Sequence, residues 1–526
     1  MGVIALILLA ASACGGIDAA ESLVPQCTDE EHCDTDAMKV SLLQSKPRGI
    51  SDAHDASSTE GDCRSYGCTT NFRRGQRCQC NDACERFHSC CHDYASMCKQ
   101  PIDTHFNHDT EGLLRKIDGW LLRRLDWDYR RNRLSHLLKT FDEWYSKRRD
   151  TYDNALAAIY FTMRGKLKEA KQILDFAIKE MYDEQPKGKS VGPSGLPSKS
   201  RRFALMAASY GDGQTDTAVD VGNNAWIAIA FARYAAATQN QCYALVARDI
   251  MEAIDEERGC ADSLGGYMQR LRGAPANDRS TEHNIDMKSL GRMLRSDRVQ
   301  QNAELFIEKM YASYEETKGK YLSGTKDGDN CTTEINYDTP FIADTTFWNL
   351  AADGDAKHPE QMAIALKTAL EEVNATDTYQ GQKYHGVKFT GGGTGIQWEI
   401  TSSAVIGMAH FLNHSSRYID DVPGLRDLVK ERLEAYRESV KRLVWKHGFV
   451  RGSVLRGGSD TGMGWRYPFG AHLAATAWAG MMLIHEGSGG ESVNDAGNPY
   501  AVPPNVISPE ATADARDCIP TGSRAQ

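Results

Sequence analysis

Four carboxylates stand where apolar segments begin: Glu282 and Asp286 in STEHNID, Asp344 in FIADTTFW and Glu399 in GIQWE. Paired carboxylates suit general acid–base work, since burial can keep one protonated while the other accepts a proton. Glu282 and Asp286 are i,i+4 and share a helix face, with His283 beside them and Ser280-Thr281 as a cap. Glu399 follows GGGTGIQW, where glycine lets backbone come close to a ligand. Comparable positions carry Tyr152 and Asp153, then Asp220, Asn224 and Trp226, and, behind Asp344, Trp348. Trp398 precedes Glu399, and the loop GGSDTGMGWRYPFG supplies Asp460, Trp465 and Tyr467. Carboxylates and amides pair with hydroxyls, and aromatic faces stack on apolar ring faces, so the implied ligand is an oligo- or polysaccharide. Plainer duties compete: N-capping for Asp344 and for the charges at 282–286, and core packing for the tryptophans. No cofactor is expected. No HExxH, P-loop, nucleophile elbow or dinucleotide fingerprint stands out, and no metal-ligand spacing is recognised.

Six similar segments must position these residues. They are TYDNALAAIYF, DVGNNAWIAIAFARYA, STEHNIDMKSLGRML, FIADTTFWNLAA, GIQWEITSSAVIGMAHFL and YPFGAHLAATAWAGMML. Their anchors Asp153, Asn224, His283, Asp344, Glu399 and His472 lie 71, 59, 61, 55 and 73 residues apart. Amphipathic helices are expected between them, at 167–181, 243–255, 299–311, 359–372 and 424–444. A helix near 131–147 would supply a twelfth. Ala-, Gly- and Trp-rich inner helices and charged outer ones predict an (α/α)6 toroid over 105–485. An open solenoid of helical hairpins is the alternative. In a toroid the inner helices run the same way, so their N-termini gather at one mouth.

YDNALA, VGNNAW, STEHNID, DTTFW and GTGIQWE resemble the six-hairpin glycosidase superfamily. That resemblance implies a glycoside hydrolase with Glu282, Asp286, Asp344 and Glu399 as candidate acids and bases, inverting more often than retaining. A carboxylate separation of about 5–5.5 Å would mean retention and about 6.5–9.5 Å inversion. A non-catalytic extracellular glycan- or protein-binding protein is the alternative. An epimerase or lyase, with His283 or Tyr467 as base, is a further one.

Eight of fifteen cysteines fall within 63–98: Cys63, Cys68, Cys78, Cys80, Cys84, Cys90, Cys91 and Cys98. So short a segment needs disulfides for stability, and the spacings do not form paired CxxC knuckles for zinc. CRSYGCTTNFRRGQRCQCNDACERFHSCCHDYASMC resembles a somatomedin B domain, with a first gap one residue longer than usual. The resemblance implies a four-disulfide knot (61–100) that meets an extracellular protein or matrix near Phe87, His88 and Tyr94.

The apolar run from Val3 to Ala13 reads as a secretory signal peptide within 1–20, though no basic residue precedes it. A polar linker with a local Cys27–Cys33 bridge follows over 21–60, and 486–526 is expected to be a disordered tail. Secretion, disulfides and glycosylation at Asn330, Asn374 or Asn413 are mutually consistent. No stretch is long and apolar enough to span a bilayer. A net charge of −10 argues against nucleic acid as a partner. Among the remaining cysteines, Cys260 and Cys331 both follow outer helices and are predicted to pair. Cys242 and Cys518 are left free or joined to each other.

Overall fold

The computed structural model describes residues 63, 76, 78–80, 84, 89–94, 109–131, 136–142, 146–182, 205–211, 218–272, 277–315, 318–328, 331–352, 357–488, 495–506 and 515. The chain divides into two compact units between Ile102 and Asp103, and each is described by itself.

In the larger unit the helices are α1 (Thr110–Arg131), α2 (Thr151–Met163), α3 (Leu167–Tyr182), α4 (Val221–Thr238), α5 (Gln241–Arg258), α6 (Thr281–Met293) and α7 (Asp297–Lys309). They continue as α8 (Ala343–Ala352), α9 (Pro359–Glu372), α10 (Trp398–His414), the short α11 (Ser416–Asp420), α12 (Leu425–His447) and α13 (Leu473–Gly487). Helices α2, α4, α6, α8, α10 and α13 each pack on the next, and α13 packs back on α2, so the ring is closed. Their outer partners are α3, α5, α7, α9, α12 and α1, which makes an (α/α)6 toroid.

Composition explains which helices lie inside. Every residue of α4 from Val221 to Ala232, and of α13 from Leu473 to Leu483, is buried. Small side chains let these helices touch closely: a Cβ at Gly407 would stand 2.3 Å from the Phe347 carbonyl oxygen. The outer helices bury one stripe, as α3 does with Ala170, Ile173, Leu174, Phe176, Ala177 and Met181. Helix α12 stops at Gly448, whose φ of 72° is left-handed.

The twelfth helix is α1, upstream of the expected 131–147. Residues 136–142 and 146–148 are not helical, because their backbone is engaged elsewhere. Leu138 bonds the Asn154 side chain through both its N–H and C=O, the Leu473 N–H donates to Thr140 O, and the Asp142 N–H donates to Ala471 O.

In the smaller unit, disulfides join Cys63 to Cys80, Cys78 to Cys91 and Cys84 to Cys90. These cysteines pack with Tyr94, which is buried, so the Tyr94 ring serves the knot's core and not a partner. Cys68, Cys98, Phe87 and His88 lie outside the described residues, as do the expected signal segment and linker. A disulfide also joins the pair Cys260 and Cys331 in the toroid, with Cα atoms 5.7 Å apart. Cys242 is disulfide-bonded as well and so is not free; Cys518 is outside the described residues. Among these residues no helix is long and apolar enough to cross a membrane.

Candidate active site

Each inner helix is latched at its start by a side chain three or four residues beyond its N-cap. Asn154 accepts from the Leu138 N–H at 2.7 Å and donates to the carbonyls of Leu138 and Asp150. Asn224 does the same with Met206 and Asp220, and Asn284 with Tyr267 and Ser280. Thr401 and Thr476 hold Val387 and Val450 in the same way while bonding their own i−4 carbonyls. Thr345 latches the fourth unit to Tyr321 O. Asn224 is therefore saturated by backbone and is not a ligand group.

Measured from the N-caps, the second residue inside points to the mouth: Tyr152, Gly222, Glu282, Asp344, Glu399 and Ala474. Three successive units thus contribute Glu282, Asp344 and Glu399 at equivalent positions. One turn deeper stand Leu156, Trp226, Asp286, Trp348, Ser403 and Trp478. This layer is the floor. Trp226, Trp348 and Trp478 lie 5.7–5.9 Å apart between ring centroids, and Tyr500 packs on all three at 5.0–6.4 Å.

Tyr500 comes from residues 495–506, within the segment expected to be disordered. Its ring is fully buried and its O–H donates to Asp286 Oδ1 at 2.9 Å. Arg233 holds the turn by donating to the carbonyls of Asn498, Pro499 and Ala501. Asp286, completely buried, therefore belongs to the floor, one turn below the other acids. Burial, then the Glu282 charge, pushes its carboxyl well above the usual range.

At the mouth, the Trp478 indole N–H donates to Tyr152 Oη at 2.9 Å, and the Tyr152 O–H donates to Glu399 Oε1 at 2.6 Å. The other oxygen of Glu399 lies 3.8 Å from His472 Nδ1, and His472 Nε2 lies 3.6 Å from Asp153 Oδ2. Burial raises Glu399 to about 7, against the Tyr152 hydrogen bond and with the help of the Glu282 and Asp150 charges. Burial likewise lowers His472 to about 3, so it is neutral. Asp344 is held well above the carboxylate range by burial and then by Glu282. Asp153 is raised by burial and then by Asp150. Glu282 and Tyr152 are half-buried, whereas Asp344 and Glu399 are buried. Tyr467 packs on His472 with ring centroids 5.7 Å apart, and its hydroxyl pKa is raised by burial and then by the charges of Glu399, Asp344, Glu282 and Asp153.

Other expected ligand groups have different duties. Asp220 is buried against Arg270 at 3.1 Å. Trp226 and Trp348 are floor, with the Trp348 N–H donating to Ser403 Oγ. Trp398 is fully buried and packs edge-on to Tyr384. The glycine-rich approach to Glu399 meets protein, since a Cβ at Gly393 or Gly395 would strike Asp460 O or Ser459 Oγ within 2.8 Å. His283 wedges against Gly222, where a Cβ would stand 2.3 Å from the imidazole. Asp460 pairs with the exposed Arg466, while Trp465 packs edge-on to Phe389 and at a tilt to Tyr467. His472, Trp478, Tyr500 and the latching residues other than Asn224 were not among the sequence candidates for the site. The first stood only as a repeat anchor, and the others are indistinguishable from core residues in sequence.

Comparison with known proteins follows this division into two units. Residues 61–101 match the somatomedin B domain. A uridylate-specific endoribonuclease of Paralichthys olivaceus is 48% identical over 52 residues, which is 10% of this chain and only 12% of that protein. A family 76 glycoside hydrolase from a bovine Bacteroides thetaiotaomicron strain superposes with a TM-score of 0.50 at 9% identity, covering 72% of this chain and 78% of that one. At that identity the likeness is one of fold, and it agrees with the closed helical ring. A D-mannose isomerase has a TM-score of 0.49 at 8% identity, covering 73% and 98% of the two chains.

Proposed function

We propose that this chain is a secreted carbohydrate-active enzyme, a glycoside hydrolase that uses paired carboxylates in the toroid mouth. One observation carries the reading: three successive inner helices present Glu282, Asp344 and Glu399 at the same position, and their environments differ. Glu399, buried and with a carboxyl near pH 7, is the general acid that protonates the departing glycosidic oxygen. Glu282, the least buried of the three, takes the proton of the water that adds to the anomeric carbon. Asp344 stands between them and sets the proton balance of the group. His472 and Tyr152 hold Glu399 in place. The somatomedin B module attaches the enzyme to an extracellular protein or matrix, and its disulfides suit an oxidising compartment.

The burial of Asp344 and Glu399 favours a second reading, a toroid that binds glycan without cleaving it. A panel of oligosaccharides, manno-oligosaccharides included, separates the two when run on wild type, Glu282→Gln and Glu399→Gln. Cleavage by wild type with at least a hundredfold loss in each variant supports the hydrolase. Binding with no turnover would favour the second reading, and full activity in both variants would refute these site assignments.

A further inference from the structure

The opposite end of the toroid carries a second cluster of ionisable groups that the acid mouth does not use. His410 and His414 are one turn apart at the C-terminal end of α10. Asp495, in the segment that leads to Tyr500, faces both: its Oδ2 is 2.9 Å from His410 Nδ1 and 3.4 Å from His414 Nε2. The three ligand atoms lie within 4.8 Å of one another. His485, in the last turn of α13, stands 3.9 Å from the other carboxylate oxygen. From Glu399 to His414 helix α10 rises about 22 Å, so this cluster is remote from the mouth.

We propose that His410, His414 and Asp495 bind a divalent transition metal ion, zinc first, with His485 positioning the carboxylate. Four features support the assignment. The side chain of His410 is about nineteen-twentieths buried, and among the described residues Asp495 is the one ion-pair partner its ring meets. Its Nδ1 meets Asp495 at 2.9 Å, while its Nε2 is buried with no hydrogen-bond partner among the described residues. Ligand atoms on a tetrahedral zinc stand about 3.4 Å apart when the bonds are about 2.1 Å; the distances to Asp495 are 3.4 Å from His414 and 2.9 Å from His410. Two helix C-termini converge here, and their dipoles favour a cation. Imidazole nitrogens with one carboxylate form a donor set that suits zinc better than calcium or magnesium.

The ion would fasten the 495–506 segment to α10. Gly497 already lies against α13, where a Cβ would meet His485 N at 2.4 Å, and Asn498 donates to Ala351 O. Two residues further on, Tyr500 enters the floor. The metal is thus structural: it holds the plug and takes no part in the mouth's chemistry.

The test uses the full chain, purified without a histidine tag and dialysed against micromolar zinc. Elemental analysis should find one zinc per chain in wild type and in His358→Ala, whose imidazole is exposed elsewhere. His414→Ala and Asp495→Asn should each bind at least tenfold more weakly. His414 is the choice because its side chain is 40% exposed, so its loss leaves the fold intact. Chelation should lower the melting temperature of wild type, and zinc should restore it, with neither effect in the two variants. Cobalt in place of zinc should give the visible bands of a tetrahedral site in wild type and His358→Ala, and in neither site variant. Absence of zinc from wild type, or equal zinc in wild type and both variants, would overturn the proposal.

Discussion

Glu399 is the residue whose proton decides the chemistry. Its folded pKa is about 7, so the rate should fall roughly tenfold per pH unit above that value as the acid is lost. Glu399→Gln should cost about 10²–10⁴ in kcat/KM. The same shift has a stability sign. Between about pH 4.5 and 7 the folded state holds a proton that the unfolded chain releases, so stability falls as pH rises through that window. The loss is complete above pH 7 and amounts to at most about 3 kcal/mol. Glu399→Gln should therefore gain stability over wild type at pH 8 and not at pH 4, measured by urea midpoints. An identical pH slope in the two proteins would sink the assignment. His472 works the other way: its folded pKa is depressed to about 3, so its contribution is lost as pH falls below about 6.5. The mouth acids were legible as polar residues opening apolar helices. Their register was not, because N-cap, second, third and fourth positions are all polar here. The sequence anchors mix these positions: His472 is an N-cap, Asp344 and Glu399 are second, Asp153 and His283 third, Asn224 fourth.

At the scale of elements, the latches explain how weakly similar units hold one geometry. Three asparagines and then three threonines do one task, tying a helix start to the strand-like segment before it. Asn224→Ala would strand the Met206 N–H and C=O in a dry interior, at a cost of about 3 kcal/mol. A thermal-melt loss no larger than that of an exposed alanine control would contradict this. Gly222→Ala drives a methyl into His283 and should cost about 1–3 kcal/mol, with Gly457→Ala as a comparison at a site with open space. The outer helices were legible because their apolar stripes are periodic. The segment 136–142 was not, since Leu137 and Leu138 look helical until the backbone bonds of Leu138 to Asn154 and of Thr140 to Leu473 are known.

For the whole molecule, the closed ring was legible in six recurring starts, while its plug was hidden. Tyr500 sits in a Gly- and Pro-rich stretch that resembles a disordered tail, and nothing local announces a ring bound for Asp286. Likewise the i,i+4 pair His410 and His414 passed unrecognised, because Asp495 lies 81 residues beyond the second of them. Tyr500→Ala should open a cavity under the mouth and destabilise the toroid by about 3–5 kcal/mol, read as a lower unfolding midpoint. The Cys260–Cys331 bridge closes a loop with a sequence separation of 71. Replacing both cysteines with serine should cost about 4 kcal/mol by the loop-closure relation, and no change in midpoint would count against it.

Closure also has a consequence in time. Tyr152 is bonded to Trp478, 326 residues later, and α2 has no second inner neighbour until α13 exists. During synthesis the first five hairpins must wait with apolar inner flanks uncovered, because contacts so far apart in sequence form late. The chain is thus most exposed to aggregation just before residues 473–500 emerge, and damage confined to that stretch should block maturation of the entire ring.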